Sequence, residues 1–176
     1  MVLDCGGGTV DITMHRVASK QPQLLLDELA PPTGGPFGST FVDIEFENFL
    51  SDLVGADAFG RFKPSGEWVQ LMRTWEAVKL GFDPSALGGL ETTQLINVSP
   101  ILDVVEGSSL SELVLSYNSR RGSKLGSRGK STLLLPIAML QNFFAPVVSK
   151  IINSVRELLA VMLLQIRVIA SNNYED

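Results

Sequence analysis

The chain has 176 residues, 45% apolar and 19% charged, which is long enough to bury a core and excludes a disordered or fibrous polypeptide. Fourteen basic against nineteen acidic residues give a net charge of −5, which argues against a surface built to neutralise nucleic-acid phosphates. The single cysteine, Cys5, rules out an internal disulfide, and with His15 as the one histidine the usual zinc ligand sets cannot be supplied.

Val2-Leu3-Asp4 reads as the end of a strand that turns through Gly6-Gly7-Gly8 into a second strand, where apolar and polar residues alternate from Val10 to Met14. Gln23 to Glu28 reads as a third strand. Ala30 to Ser39, rich in proline and glycine, reads as a loop. A helix is predicted from Ser39 or Thr40 to near Gly55, with Thr40 and Asp43 as an approximate capping pair. A second helix is predicted from Glu67 to Leu80. Trp68, Leu71, Met72, Trp75 and Val78 form its apolar face, which assigns both tryptophans to the core, and Gly81 and Pro84 stop it. Thr92 to Val98 is a predicted strand, and Ile101 to Val105 a further short element.

Gly107 to Lys130 is rich in serine and glycine and has no acidic residue after Glu112. Its composition predicts a solvated loop; the other reading is a contact for an anion through Arg120, Arg121, Lys124, Arg128 and Lys130. Helix is predicted again from about Pro136, with an apolar stripe from Phe143 to Met162. Pro146 should kink it or begin a new segment. Leu163 to Ala170 reads as a closing strand and Ser171 to Asp176 as a free tail. Ser131 to Ser149 is uncharged and approaches bilayer-spanning length. Pro136, Gln141, Asn142 and Pro146 interrupt it, however, and the amphipathic spacing beyond it carries Arg156, Glu157 and Arg167, so no membrane span is expected. The glycine-rich run with Asp4 and Asp11 after Met1 does not have the form of a secretory signal.

The sharpest chemical signal is Asp4-Cys5-Gly6-Gly7-Gly8-Thr9-Val10-Asp11. Three successive glycines allow consecutive backbone N–H groups to face one anion, and the absent Cβ atoms let it come close. Phosphate is the natural guest, and Thr9 can add a hydroxyl. Asp4, just before the turn, is placed to hold a magnesium-bound water or to orient an attacking one. Magnesium suits one or two carboxylates combined with phosphate oxygens and waters. Asp11 either binds a cation or fixes the hairpin. The string is not a Walker loop, because no Gly-Lys-Ser/Thr follows the glycines. Arg73, Glu76 and Lys79 are expected on the polar side of the second helix, where i,i+3 spacing alone describes a solvated face. His15 reads as a surface or packing residue. Cys5 has no basic neighbour in sequence to activate it as a nucleophile.

As a whole, Asp-x-Gly-Gly-Gly-Thr-x-Asp in a strand–turn–strand resembles the second phosphate motif of the actin/heat-shock-70 ATPase superfamily. Gly34-Gly35-Pro36-Phe37-Gly38-Ser39 before a helix resembles the turn that approaches the terminal phosphate in that family. Its Gly-Pro-aromatic-Gly-Ser form, and Cys5, are similar to the divergent heat-shock 70 kDa protein 12A/12B branch. Trp75-Glu76-Ala77-Val78-Lys79 resembles the helix whose Glu and Lys reach the adenosine, and Ser131 to Leu159 the helix ahead of the final nucleotide-binding strand.

The resemblance, from Val2 to about Leu159, implies an α/β fold: a ribonuclease-H-like, actin-like ATPase second lobe, with a mixed sheet flanked by helices and an inserted smaller α/β subdomain. Residues 1–44 and 130–170 would form the inner subdomain and 45–129 the outer. It implies ATP and Mg2+ as cofactors. Gly6, Gly7, Gly8 and Thr9 would hold phosphates, Gly34 and Gly35 approach the terminal one, Glu76 and Lys79 reach the nucleoside, and Asp4 and Asp11 serve the metal, with Asp4 also the catalytic candidate. The resemblance covers one lobe of a two-lobed cage. Arg167 to Asn173 stands where the family has a Gly-Gly adenosine turn, and Leu80 stands where relatives carry a basic residue. The expectation is a cytoplasmic, partial ATPase domain that binds nucleotide, with hydrolysis reserved for the complete protein. The alternative is a pseudo-ATPase module that contacts another protein.

Overall fold

A computed structural model describes residues 1–83 and 93–172, with 164–172 as helix backbone only. The elements run β1 (Val2–Cys5), β2 (Val10–Ser19), β3 (Leu25–Gly35), α1 (Thr40–Val54), α2 (Ala56–Phe62), α3 (Gly66–Leu80), β4 (Thr93–Asn97), α4 (Ser99–Leu102), α5 (Leu110–Arg121), β5 (Gly126–Arg128), β6 (Thr132–Pro136) and α6 (Ile137–Asn172). Two three-stranded sheets form, ordered β1-β2-β3 and β4-β6-β5, and every pairing in them is antiparallel. The architecture is thus mixed α/β, with antiparallel sheets where a mixed sheet was expected. The chain divides into two units, Met1–Asp43 with Phe144–Asp176, and Ile44–Phe143.

The first unit is the β1-β2-β3 meander with the later part of α6. Val10 and Ile12, alternate residues of β2, are fully buried and form a core with Ala30, Leu158 and Met162. Ile151, Val155, Leu158 and Met162 follow helical spacing and bring one stripe of α6 onto that face. The predicted loop at Ala30–Ser39 is corrected: β3 continues to Gly35, with Thr33, Gly34 and Gly35 opposite Ile12, Asp11 and Val10. Pro31 and Pro32 are tolerated because β3 is an edge strand and they fall in a register shift between Ile12 and Met14, where no ladder N–H is required. The predicted closing strand at Leu163–Ala170 is also corrected. α6 runs unbroken through Pro146 to Asn172, because extending an established helix adds a hydrogen bond per residue, and Val168 and Ile169 oppose that weakly.

The second unit is built round an aromatic cluster. Phe46 stacks on Trp75 at 4.2 Å between ring centres, and Phe143 meets Trp75 edge-on at 5.7 Å. Phe46, Leu50, Leu71 and Trp75 are buried, and so are Ile96 of β4 and Leu133 and Leu135 of β6. On α3, Leu71, Trp75 and Lys79 follow i,i+4,i+8 spacing and all are buried, so Lys79 belongs to the inward face and not to the predicted polar side. α2 and α4 are short helices: Phe62 of α2 and Ile101 of α4 are buried. Pro84 and Thr92, read as a helix stop and a strand start, lie outside the described residues.

The predicted solvated loop at Gly107–Lys130 is corrected too. Ser109 and Glu112 form a full capping box, Leu110, Val114 and Tyr117 bury one face of α5, and Gly122 ends it in the left-handed conformation. Arg120 and Arg121 both bond Asp52 of α1, at 2.9 and 2.6 Å. The Arg121 side chain, opposed by burial and helped by Arg120, holds the Asp52 carboxyl below the ordinary carboxylate range. A folded-state pKa below the unfolded value gives stabilisation that is present above about pH 4 and lost as pH falls through the folded value. Asp52→Asn should therefore lower the thermal midpoint at pH 7 and flatten its decline below pH 4. Parallel acid limbs in the two proteins would exclude the clamp as a contributor. Among the described residues no helix is long and apolar enough to cross a membrane.

Candidate functional site

The hairpin between β1 and β2 places Asp4 opposite Asp11 and Cys5 opposite Val10. Facing residues of an antiparallel pair project to the same side, so Asp4 and Asp11 share the face opposite to that buried by Val10 and Ile12. The turn is closed by the Gly6 N–H, which donates to the Thr9 carbonyl at 2.9 Å.

What holds the turn comes from the start of α1. The Gly6 carbonyl accepts from Ser39 N–H at 3.0 Å, the Gly7 carbonyl from Thr40 N–H at 2.9 Å, and the Gly8 carbonyl from Gly38 N–H at 3.2 Å. Thr40 Oγ1 adds a second donor to the Gly7 carbonyl at 2.9 Å. In a trans peptide unit the C=O and the following N–H point in opposite directions. With the carbonyls of residues 6, 7 and 8 all drawn to Gly38–Thr40, the N–H groups of Gly7, Gly8 and Thr9 are turned to the opposite side of the loop. Among the described residues these three amides have no backbone acceptor, and the residues that carry them are exposed. Successive outward N–H groups are a concentration of positive partial charge suited to an oxyanion.

The glycines differ in why they are glycines. A Cβ at Gly34 would lie 1.9 Å from the Val10 carbonyl oxygen, and its φ is +141°, so the β2–β3 pairing demands glycine there. At Gly35 a Cβ would meet the Phe37 ring at 2.7 Å, and at Gly38 it would lie 2.4 Å from the Gly7 oxygen. Gly6 is tight, with the Thr9 oxygen at 3.2 Å. Gly7 and Gly8 have no atom within 4 Å of a Cβ and no positive φ, so the fold itself gives neither a reason to be glycine.

Asp4 and Asp11 have no ion-pair partner among the described residues; Asp11 accepts a bond from Thr9 Oγ1 at 3.3 Å. Two unpaired carboxylates opposed across strands repel, and a divalent cation would relieve that repulsion. No group of three or more acidic, His or Cys side chains gathers among the described residues, so protein ligands alone do not complete a metal shell. This donor set fits magnesium, which takes few carboxylates and fills its octahedron with phosphate oxygens and water.

The structure brings Asp4, Gly6, Gly7, Gly8, Thr9, Asp11, Gly34 and Gly35 together in the first unit. Glu76 and Lys79 belong to the second and pair with each other at 2.6 Å, Lys79 nearly buried and Glu76 half exposed. Sequence reasoning missed Gly38, Ser39 and Thr40 as the residues that orient the turn, although Gly38-Ser39 stood inside a motif already singled out. Their signal is a helix start whose amides are satisfied by the glycine turn's own carbonyls. Cys5 is exposed, and His15 sits on β2 opposite Glu28.

No family model matches the chain, and no solved structure matches it. Over 162 residues it is 34% identical to the heat shock 70 kDa protein 12B of Homo sapiens, covering 91% of the chain and 23% of that protein. It is also 34% identical over 160 residues to the heat shock 70 kDa protein 12A of Mus musculus and of Homo sapiens, covering 90% of the chain and 23% of each. The chain spans about a quarter of the length of these curated relatives.

Proposed function

We propose, on the premise that the chain is kin to the heat shock 70 kDa proteins 12A and 12B, that it binds ATP as Mg-ATP through the hairpin between β1 and β2. One observation carries this reading: Gly7 and Gly8 are glycines for which the fold has no use, at the point where three amides face outward. A ligand that must approach the main chain supplies the missing reason. In this reading the amides of Gly7, Gly8 and Thr9 grip phosphate oxygens, and Gly6 holds the turn closed. Gly34 and Gly35 keep β3 close enough to bring that end of the sheet toward the terminal phosphate. Asp4 and Asp11 hold Mg2+ through its waters, Asp4 also orienting water at the terminal phosphate. The metal would supply neutralisation of phosphate charge.

Glu76 and Lys79, which pair with each other in the second unit, are the residues that this kinship would assign to the nucleoside. In this reading the first unit is the inner subdomain of a ribonuclease-H-like second lobe and the second unit the outer one, the return to the inner subdomain falling at Phe144 and not at residue 130, with the cytoplasm as the compartment. Hydrolysis belongs to a two-lobed protein, because phosphoryl transfer rests on charge stabilisation from both sides of the nucleotide. A second reading, a non-catalytic module that contacts another protein, draws on the exposed apolar residues of the first sheet and its approach, including Val2, Leu24 and Leu25.

Calorimetry separates the readings. Asp4→Asn should weaken Mg-ATP binding about tenfold, in line with the loss of one charged hydrogen bond, and leave metal-free ATP binding nearly unchanged. Absence of Mg-ATP binding by the unaltered chain would select the protein-contact reading.

A further inference from the structure

The second unit contains an open-mouthed cavity of about 880 Å3 that none of the residues of the nucleotide reading lines, whereas Arg121 and Lys124 of the basic stretch do. Small-molecule sites are concave and fall between about 300 and 1,000 Å3, a range that includes this one. The cavity lies between α1, the end of α5 with the turn after it, and the first turns of α6, and all its lining residues belong to the one unit.

Its walls are set before any ligand arrives. Phe49 meets Tyr117 edge-on at 5.4 Å and lies tilted to Phe143 at 5.7 Å, and all three rings are buried at the cavity's edge. The clamp of Arg120 and Arg121 on Asp52 fixes α5 against α1 beside it. Met139 and Ile137 add apolar surface from α6.

The charges are not balanced internally. Asp52 is shared by two guanidinium groups, so that cluster carries one excess positive charge. Lys124 also lines the cavity, is exposed and has no ion-pair partner among the described residues. The Nε of Arg121 is taken by Asp52, which leaves its terminal nitrogens as donors. Glu45 stands in the same lining without an ion-pair partner among the described residues, and its charge disfavours a ligand with two negative charges.

We propose that this cavity binds a small, singly charged amphipathic carboxylate, its apolar body against Phe49, Tyr117, Phe143 and Met139 and its carboxylate at Lys124 and Arg121. The site is separate from the nucleotide reading and stands or falls without it.

The test uses the 176-residue chain and the fluorescent sulfonate 1-anilinonaphthalene-8-sulfonate as probe, displaced by dodecanoate. Dodecanoate should displace the probe at least tenfold more effectively than dodecanol. Lys124→Glu should weaken dodecanoate about tenfold, while Lys124→Arg retains it. Ala138→Trp, at an exposed position of the cavity lining, should fill the space and abolish displacement with an unchanged circular dichroism spectrum. Equal displacement by the alcohol and the acid overturns the proposal. So does wild-type behaviour of both Lys124→Glu and Ala138→Trp, or displacement of the probe by Mg-ATP, which would place the probe at the nucleotide hairpin.

Discussion

Gly7→Val is expected to remove Mg-ATP binding while the chain stays folded. A Cβ at residue 7 enters open space and the backbone there has no positive φ, so the branched side chain meets no protein atom at its root. Substitutions at such exposed positions change stability by no more than about 0.5 kcal/mol, which for a chain of this size moves the thermal midpoint about 2 °C. The ligand has no such freedom. Hydrogen bonds to a charged group contribute about 1.5–3 kcal/mol each, and a valine over the amides of Gly7 and Gly8 obstructs two of them, so affinity should fall by at least about a hundredfold. Calorimetric titration with Mg-ATP, beside a thermal melt of the same sample, reads both quantities. A Gly7→Val protein that binds like the unaltered chain would end the phosphate reading, because no internal role of Gly7 is left to explain its identity.

The contrast among the glycines marks how far the sequence could be read. The run at residues 6–8 was legible as a motif, and so was the Gly34-Gly35 pair, yet the two owe their glycines to different causes. At Gly34 the cause is the Val10 carbonyl across the sheet, a contact between residues far apart in sequence that no local pattern reveals. α1 and α3 were legible because their apolar residues recur at helical spacing. α5 was hidden because serine, arginine and glycine dominate its region, although its capping box, Ser109 and Glu112, stood in plain view. The inward position of Lys79 was missed because a charged residue was assigned to solvent by type. Its i,i+4 relation to Trp75 puts it on the buried face, and an ion pair with Glu76 makes burial tolerable. The far end of α6 was misread because local β-propensity is a weaker force than continuation of a helix already docked on Val10 and Ile12.

Gly38→Ala should produce the opposite signature from Gly7→Val: lost stability and lost binding together, from a residue whose proposed part is to hold the turn and not to touch the nucleotide. The added methyl would lie 2.4 Å from the Gly7 oxygen and 2.5 Å from the Gly6 oxygen. Both are backbone atoms of a turn pinned at its other end by β1 and β2, so no side chain can swing aside. Relief requires α1 to withdraw from the turn, which breaks the bonds from Gly38, Ser39 and Thr40 to the carbonyls of Gly8, Gly6 and Gly7. At about 1 kcal/mol per bond, plus the strain of the contact, the cost is on the order of 3–4 kcal/mol, or a midpoint lower by about 8–15 °C. Once the carbonyls are released, the peptide planes can rotate and the outward amides lose their common direction. Thr40→Val is the graded control: it deletes the hydroxyl bond to Gly7 and keeps the three main-chain bonds, so it should cost about 1 kcal/mol and weaken Mg-ATP only a few-fold. If Gly38→Ala melts with the unaltered chain, the start of α1 does not brace the hairpin. If it melts early yet binds Mg-ATP normally, the direction of those three amides is set by something other than the bonds to Gly38–Thr40.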